Sequence, residues 1–179
     1  MKRRELLVGA GALGALGVGG AVAFGVVDPL DDGETVGPFE LERFDAPGST
    51  PGTEMVPEEG TVTYLALFAT WCGTCRTKME PLGEAVTRVG DDVQFVSVTN
   101  EPVGHTVSPE DVIEWWHEYD GSWPVAHDDT LDLTQAVGGR GVPYSVVFDV
   151  DNQVVWSDSG YKDADEVLEQ IERAGGTVE

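Results

Sequence analysis

Basic residues are scarce in this 179-residue chain: 10 Lys and Arg stand against 33 Asp and Glu, for a formal net charge of −23. Three of the ten, Lys2, Arg3 and Arg4, lie at the very start, so 7 basic and 32 acidic residues remain after Glu5. Lysine is scarcest, with only Lys78 and Lys162 in the body of the chain. So acidic a surface argues against a nucleic-acid partner, whose phosphates need cations. It fits a basic partner, or a protein of an extreme halophile kept soluble where concentrated salt screens self-repulsion. Cysteine is scarcer still: Cys72 and Cys75 are the only two, and there is no second CxxC. Zinc, which takes four ligands or three and a water, would need the scattered His105, His117 and His127. No cysteine follows the N-terminal apolar stretch, which excludes a lipoprotein anchor, and no internal repeat is visible.

What is present reads as one globular domain behind an address. Hydrophobic residues make up 41 % and aromatics 8 % of the chain, a globular composition. Residues 1–27 have a basic start and then no charge from Leu6 to Val27, long enough to reach across a bilayer. Arg3-Arg4-Glu5-Leu6-Leu7 resembles a twin-arginine export signal, and Ala21-Val22-Ala23 offers a cleavage site. The segment is therefore expected to export the chain or tether it to the membrane, which places the folded part in an oxidising or redox-managed exterior. Residues 28–35 read as an acidic linker, and 36–179 as the domain.

Within the domain the hydrophobic pattern alternates between strand and helix. Phe39, Leu41 and Phe44 suggest a short strand or hairpin. Residues 61–69 are a buried, β-branched strand. Cys75, Met79, Leu82, Val86 and Val89 recur at helical spacing, with Gly90 as the expected stop. A strand follows at 92–99. Ser108 and Pro109 then open a helix to Tyr119 with Val112, Trp115 and Trp116 on its apolar side. A short helix over 130–138, strands at 144–150 and 153–159 about an Asp151-Asn152 turn, and a helix from Asp163 to Gly175-Gly176 complete the order. That order implies a mixed sheet with helices on both faces. The tryptophans at 115, 116, 123 and 156 read as core or core edge, and an exposed 115–116 pair would be a docking surface.

Three readings compete for the cysteines. A structural disulfide closing so short a loop would stabilise the fold weakly. A metal site would suit copper(I), a soft ion for thiolates, with a histidine completing it. Thiol–disulfide exchange fits the local chemistry best. A cysteine at a helix start has free backbone N–H groups and the positive helix end beside its sulfur, which favour thiolate. Cys72 is then the nucleophile and Cys75, one turn on, the resolving thiol. Gly73 removes bulk beside the sulfur, Trp71 stands next to it, and Arg76 and Lys78 add local positive charge.

"FATWCGTC" resembles the active-site motif of the thioredoxin superfamily. With the export segment, it is similar to the TlpA-like membrane-anchored thiol-disulfide oxidoreductases over roughly 36–175. The resemblance implies a thioredoxin-like α/β fold: a central mixed sheet flanked by helices, with an N-terminal β extension and an extra helix carrying Trp115-Trp116. "RGVPYSVVFDVDNQVV" resembles the cis-proline segment, so Val142-Pro143 is expected to be a cis bond facing Cys72. Thr74 and Val142 occupy the positions that tune thiolate stability. Two departures stand out. Ala66 fills a position where relatives place Asn or a buried Asp. Lys78-Met79-Glu80-Pro81 stands where many relatives have Glu, an apolar residue and Pro, which leaves Glu80 or Lys78 as candidates for proton transfer. The implied activity is exchange with protein thiols and disulfides, with no cofactor beyond the redox-active pair and a membrane electron-donor protein as a further partner. Reduction of extracytoplasmic disulfides, including those of apocytochrome c, is the favoured direction, and a disulfide-forming oxidase is the converse. A peroxiredoxin-type peroxidase expects Thr three residues before its cysteine, whereas Thr70 is two before Cys72.

Overall fold

The structure, a computed structural model, describes residues 35–179. The expected export segment, and all but the last residue of the expected linker, lie outside the described residues. Seven strands and four helices follow in the order β1 (Phe39–Arg43), β2 (Gly52–Val56), β3 (Val62–Phe68), α1 (Gly73–Val86), β4 (Val93–Thr99), α2 (Pro109–Glu118), β5 (Val125–His127), α3 (Asp132–Ala136), β6 (Tyr144–Phe148), β7 (Val154–Ser159) and α4 (Ala164–Arg173).

The strands form one sheet in the order β2-β1-β5-β4-β3-β6-β7. β3, β4 and β5 run parallel, β6 is antiparallel to β3, and β1 with β2 forms the N-terminal extension beside β5. All seven residues of β3 are buried. Tyr64, Ala66 and Phe68 enter one core with α1, α2 and α4, while Leu65 and Leu67 enter the other with Leu133 of α3 and Val137 just past it. A strand covered on both faces has no polar side to show, which is why its sequence is a continuous apolar run. Thr35 and Val36 pair with the β6–β7 turn, so the described chain begins already attached to the sheet.

The expected helices and strands are present, with differences at their edges. α1 stops at Val86, not at Gly90, because Thr87 and Arg88 turn their N–H groups back to Glu84 and Ala85 and tighten the last turn. Val89 then bridges Val178 near the C-terminus. Ser108 and Asp111 form a complete capping box at the start of α2. Asn152 takes a left-handed conformation (φ 58°) in the β6–β7 turn, where Asp149 accepts from the N–H groups of Asp151 and Gln153. The place of the N-terminal extension's second strand, and the whole of β5, were not expected. β2 lies in a stretch rich in Gly and Pro, and β5 has three residues, too few for a period to show. Trp115 and Trp116 are buried: Trp115 stacks on Phe68 at 5.0 Å, and Trp116 meets Trp123 edge-on at 4.8 Å. The pair is core, and offers no exposed docking surface.

Candidate active site

The chain leaves the inner strand β3 at Phe68 and reaches Cys72 after one tight turn, in which the Cys72 N–H donates to the Ala69 carbonyl at 3.1 Å. Cys72 is the N-cap of α1, with extended backbone, and its sulfur accepts the Cys75 N–H at 3.1 Å. The side-chain role that Ser or Asp plays at other helix starts is here played by sulfur. Cys72 and Cys75 are joined as a disulfide with Cα atoms 5.2 Å apart. Both are buried, at 5 % and 3 % exposure. When the bond is reduced, the same N–H and the helix end favour a thiolate at Cys72.

Around the pair, Trp71 is 74 % exposed, the most exposed large apolar side chain among the described residues. Gly73 and Thr74 are exposed, and a Cβ built on Gly73 meets nothing within 4 Å. Internal packing therefore does not require glycine there; the free space lies on the outside. Val142-Pro143 is a cis bond, as expected. Leu67 of β3 pairs with Tyr144 of β6, so Pro143 lies level with the end of β3 from which the cysteine turn departs. Val142 packs against the core that contains both cysteines.

The two proton-transfer candidates part company. Glu80 is exposed and lines a cleft between α1 and α2 with Arg76, Met79 and Tyr119; the Arg76 guanidinium lies 5.1 Å over the Tyr119 ring. Lys78 turns the other way and is 2 % exposed, a burial that its place in a helix of an acidic protein does not foretell. Its ammonium donates to the Ser145 hydroxyl, which in turn shares a hydrogen bond of 2.9 Å with the Tyr64 hydroxyl. Burial, with the nearby charge of Lys162 adding to it, lowers the Lys78 pKa to about 8. The Tyr64 phenol is pushed above its ordinary range, again by burial.

One residue of the site had no signal in the sequence. Glu101, just past β4, is 7 % exposed, and its carboxylate accepts from the Thr70 N–H at 2.7 Å, the Thr70 hydroxyl at 2.9 Å and the Thr99 hydroxyl at 3.2 Å. It ties down the turn that delivers Cys72. An isolated Glu in "VTNEPVG" reads as one more surface acid; only the parallel pairing of β3 and β4 brings it beside Thr70. That contact also commits the Thr70 hydroxyl to Glu101. His105 and His117 are exposed, and the His127 ring bonds the Glu101 carbonyl at 2.9 Å. Among the described residues, no three His, Cys, Asp or Glu side chains are grouped as metal ligands.

A strand that leads into a disulfide-closed CxxC at a helix N-terminus, with a cis-proline just before the neighbouring strand of a mixed sheet, defines a thioredoxin-fold thiol-disulfide oxidoreductase. The solved structures agree. The chain is similar to the structure assigned as thiol:disulfide interchange protein DsbE from Chlorobium tepidum (26 % identity over 81 % of this chain and 97 % of that one, TM-score 0.62). It is also similar to the exposed lipoprotein thioredoxin Etrx1 of Streptococcus pneumoniae (25 % identity, 76 % and 98 % covered, TM-score 0.63). StoA from Bacillus subtilis shares the fold at 16 % identity, with 74 % and 94 % covered and a TM-score of 0.64. None of the curated proteins compared matches the chain. The family model for Redoxin matches residues 33–172, and the chain belongs to the Redoxin family.

Proposed function

We propose that this oxidoreductase works outside the cytoplasm and reduces protein disulfides, with the disulfide of apocytochrome c as one substrate class. Cys72 at the cap of α1, its sulfur already holding the Cys75 N–H, is the observation that carries the reading. In the reduced enzyme the Cys72 thiolate attacks a substrate disulfide, forms a mixed disulfide and expels one substrate thiolate. Cys75 then attacks the Cys72 sulfur and expels the second. The substrate gains two electrons and two protons, and the enzyme is left as the Cys72–Cys75 disulfide. Its re-reduction needs a dithiol donor, for which a membrane protein is the natural source outside the cell. The pair itself is the redox group, so no further cofactor is required.

Trp71, Gly73, Thr74, Val142 and Pro143 form the surface against which a substrate chain lies. Proline offers no N–H to the sheet, and a neighbouring extended segment is then free to pair with an incoming peptide. Two things support an extracytoplasmic setting: the apolar, twin-arginine-like start of the chain, and the likeness to an exposed lipoprotein thioredoxin. The charge of −23 supports function in concentrated salt.

The test is direct. Cys72→Ser should abolish turnover of a disulfide substrate, and Cys75→Ser should accumulate a mixed disulfide that a reductant releases. Full activity in both variants would end the proposal. The reduction potential decides direction: a value near or below about −270 mV fits a reductase, whereas one toward about −120 mV marks a disulfide-forming oxidant.

A further inference from the structure

The chain has two lysines in its body, and both are buried: Lys78 at 2 % and Lys162 at 6 % exposure. A protein this acidic has ample use for surface cations, yet it buries these two, one on the redox helix and one in the turn between β7 and α4. Lys162 is fully engaged. It forms a 3.0 Å ion pair with Asp158 and donates to the Ser159 and Tyr161 carbonyls at 3.2 Å each. Lys78 is different. Among the described residues it ion-pairs with no carboxylate, and its partner is the neutral hydroxyl of Ser145. A buried ammonium without a counter-ion is costly, and such a group is expected to lose its proton unless something negative arrives.

The disulfide can supply that negative charge. Cys75 and Lys78 are three residues apart on α1, which puts them on one face of the helix, and both are buried against the sheet. Ser145 lies on the strand opposite Ala66, and the small side chain at 66 occupies little of the space beneath the helix. While the disulfide is closed, nothing at the sulfurs balances the ammonium. Two electrons and one proton convert the disulfide to one thiolate and one thiol, and a negative charge then appears at the start of the helix that carries the buried cation.

We propose that Lys78 is the cation that stabilises the reduced Cys72–Cys75 pair, acting through its field on the sulfurs and not by contact with substrate. This deepens the dithiol-exchange reading and rests on it. The cation raises the reduction potential of the pair and lowers the pKa of its thiols, and reduction in turn makes Lys78 hold its proton more tightly. The other charged and titratable groups facing the ammonium are Lys162 and Asp158 from the end of β7 and the turn after it, Glu166 from α4 and Tyr64 from β3. Lys162 opposes its charge while Asp158 and Glu166 favour it.

The test uses the full-length protein and its Lys78→Met, Lys78→Gln and Ser145→Ala variants. Each is equilibrated with dithiothreitol buffers between pH 6 and 10, and thiolate is followed by its ultraviolet absorbance. Both lysine variants should shift the equilibrium toward the disulfide by tenfold or more near pH 7, which is about 30 mV for two electrons. Their thiol titration should move to higher pH, and the difference from wild type should shrink at high pH as Lys78 loses its charge. Ser145→Ala, which takes the hydrogen-bond partner from the ammonium and weakens its hold on the proton, should move the equilibrium in the same direction but less far. Agreement between Lys78→Met and Lys78→Gln, which differ in polarity and share the loss of charge, separates charge from packing. Wild-type potential and titration in both lysine variants would overturn the inference while leaving the exchange reading intact. A wild-type pair that does not exchange with dithiols at all would overturn the exchange reading itself.

Discussion

The ammonium of Lys78 donates to the hydroxyl of Ser145, joining the helix that carries Cys75 to the strand that begins just after the cis-proline. The contact adjoins Tyr64, on the face of the sheet covered by α1 and α4. It links the two halves of the site through a group whose charge the fold does little to compensate.

That lack of compensation has a measurable cost. Burial lowers the Lys78 pKa from 10.5 to about 8, so the charged form is the one the fold disfavours. The unfolded chain therefore binds more protons between about pH 8 and 10.5, and stability should rise with pH across that window. Below it the full penalty applies, of order 3 kcal/mol at 1.36 kcal/mol per pH unit before relaxation. Lys78→Met should remove the penalty and raise the urea midpoint at pH 7, with a smaller gain at pH 10. Equal midpoints at pH 7 would show that the ammonium is better solvated than its burial implies.

Glu101 should matter more to the cysteine turn than its place on the chain suggests. Its removal leaves the Thr70 N–H and two hydroxyls without their acceptor. Glu101→Ala should cost about 1–3 kcal/mol, the usual range for a stranded buried donor. Amide exchange at Thr70 should also become faster. Denaturant unfolding and hydrogen exchange check the two effects separately, and protection at Thr70 that did not change would refute the tie.

Gly121 sits against the indole of Trp116, and a Cβ placed there would come within 2.2 Å of the ring. Trp116 is itself fixed by Trp123 and by a 3.1 Å hydrogen bond from its indole N–H to the Pro47 carbonyl. Gly121→Ala should therefore destabilise the domain by about 1–3 kcal/mol, as overpacking of a filled core does. Loss of the near-ultraviolet tryptophan signal should accompany it. A thermal midpoint equal to wild type would show that the indole can move aside.

Salt should strengthen the fold. With 33 acids against 10 bases, self-repulsion opposes the compact state, and screening shortens from about 10 Å at 0.1 M to about 3 Å at 1 M. Denaturation measured at low and at molar sodium chloride should show a higher midpoint in the latter. A midpoint that falls with salt would remove the argument for a high-salt setting.

Much of the domain can be read from the chain. The apolar run at 62–68, the capping serine at 108, Asp163 and the Asp151-Asn152 turn are local signals, and each marks an element that forms. β5 and β2 are not legible, since three residues have no period and a Gly/Pro-rich edge strand owes its form to its neighbours. The indoles at 115 and 116 are ambiguous from spacing alone, because a helix stripe can face either a core or a partner. Phe68 of β3 and Trp123 in the loop before β5 decide it.

By itself, the sequence determined the chemistry at the cysteines: two thiols one turn apart at a helix start behave as a redox pair because backbone N–H groups and the helix end act over a few residues. Tertiary structure alone decided what surrounds them. A charged side chain six residues after Cys72 points to water or into the core according to which face α1 turns to the sheet, and Glu80 and Lys78 take opposite fates on that account. Likewise Glu101 reaches Thr70 only because β3 and β4 lie side by side. Burial and long-range pairing set the field at the disulfide, and neither is a property of any short stretch of chain.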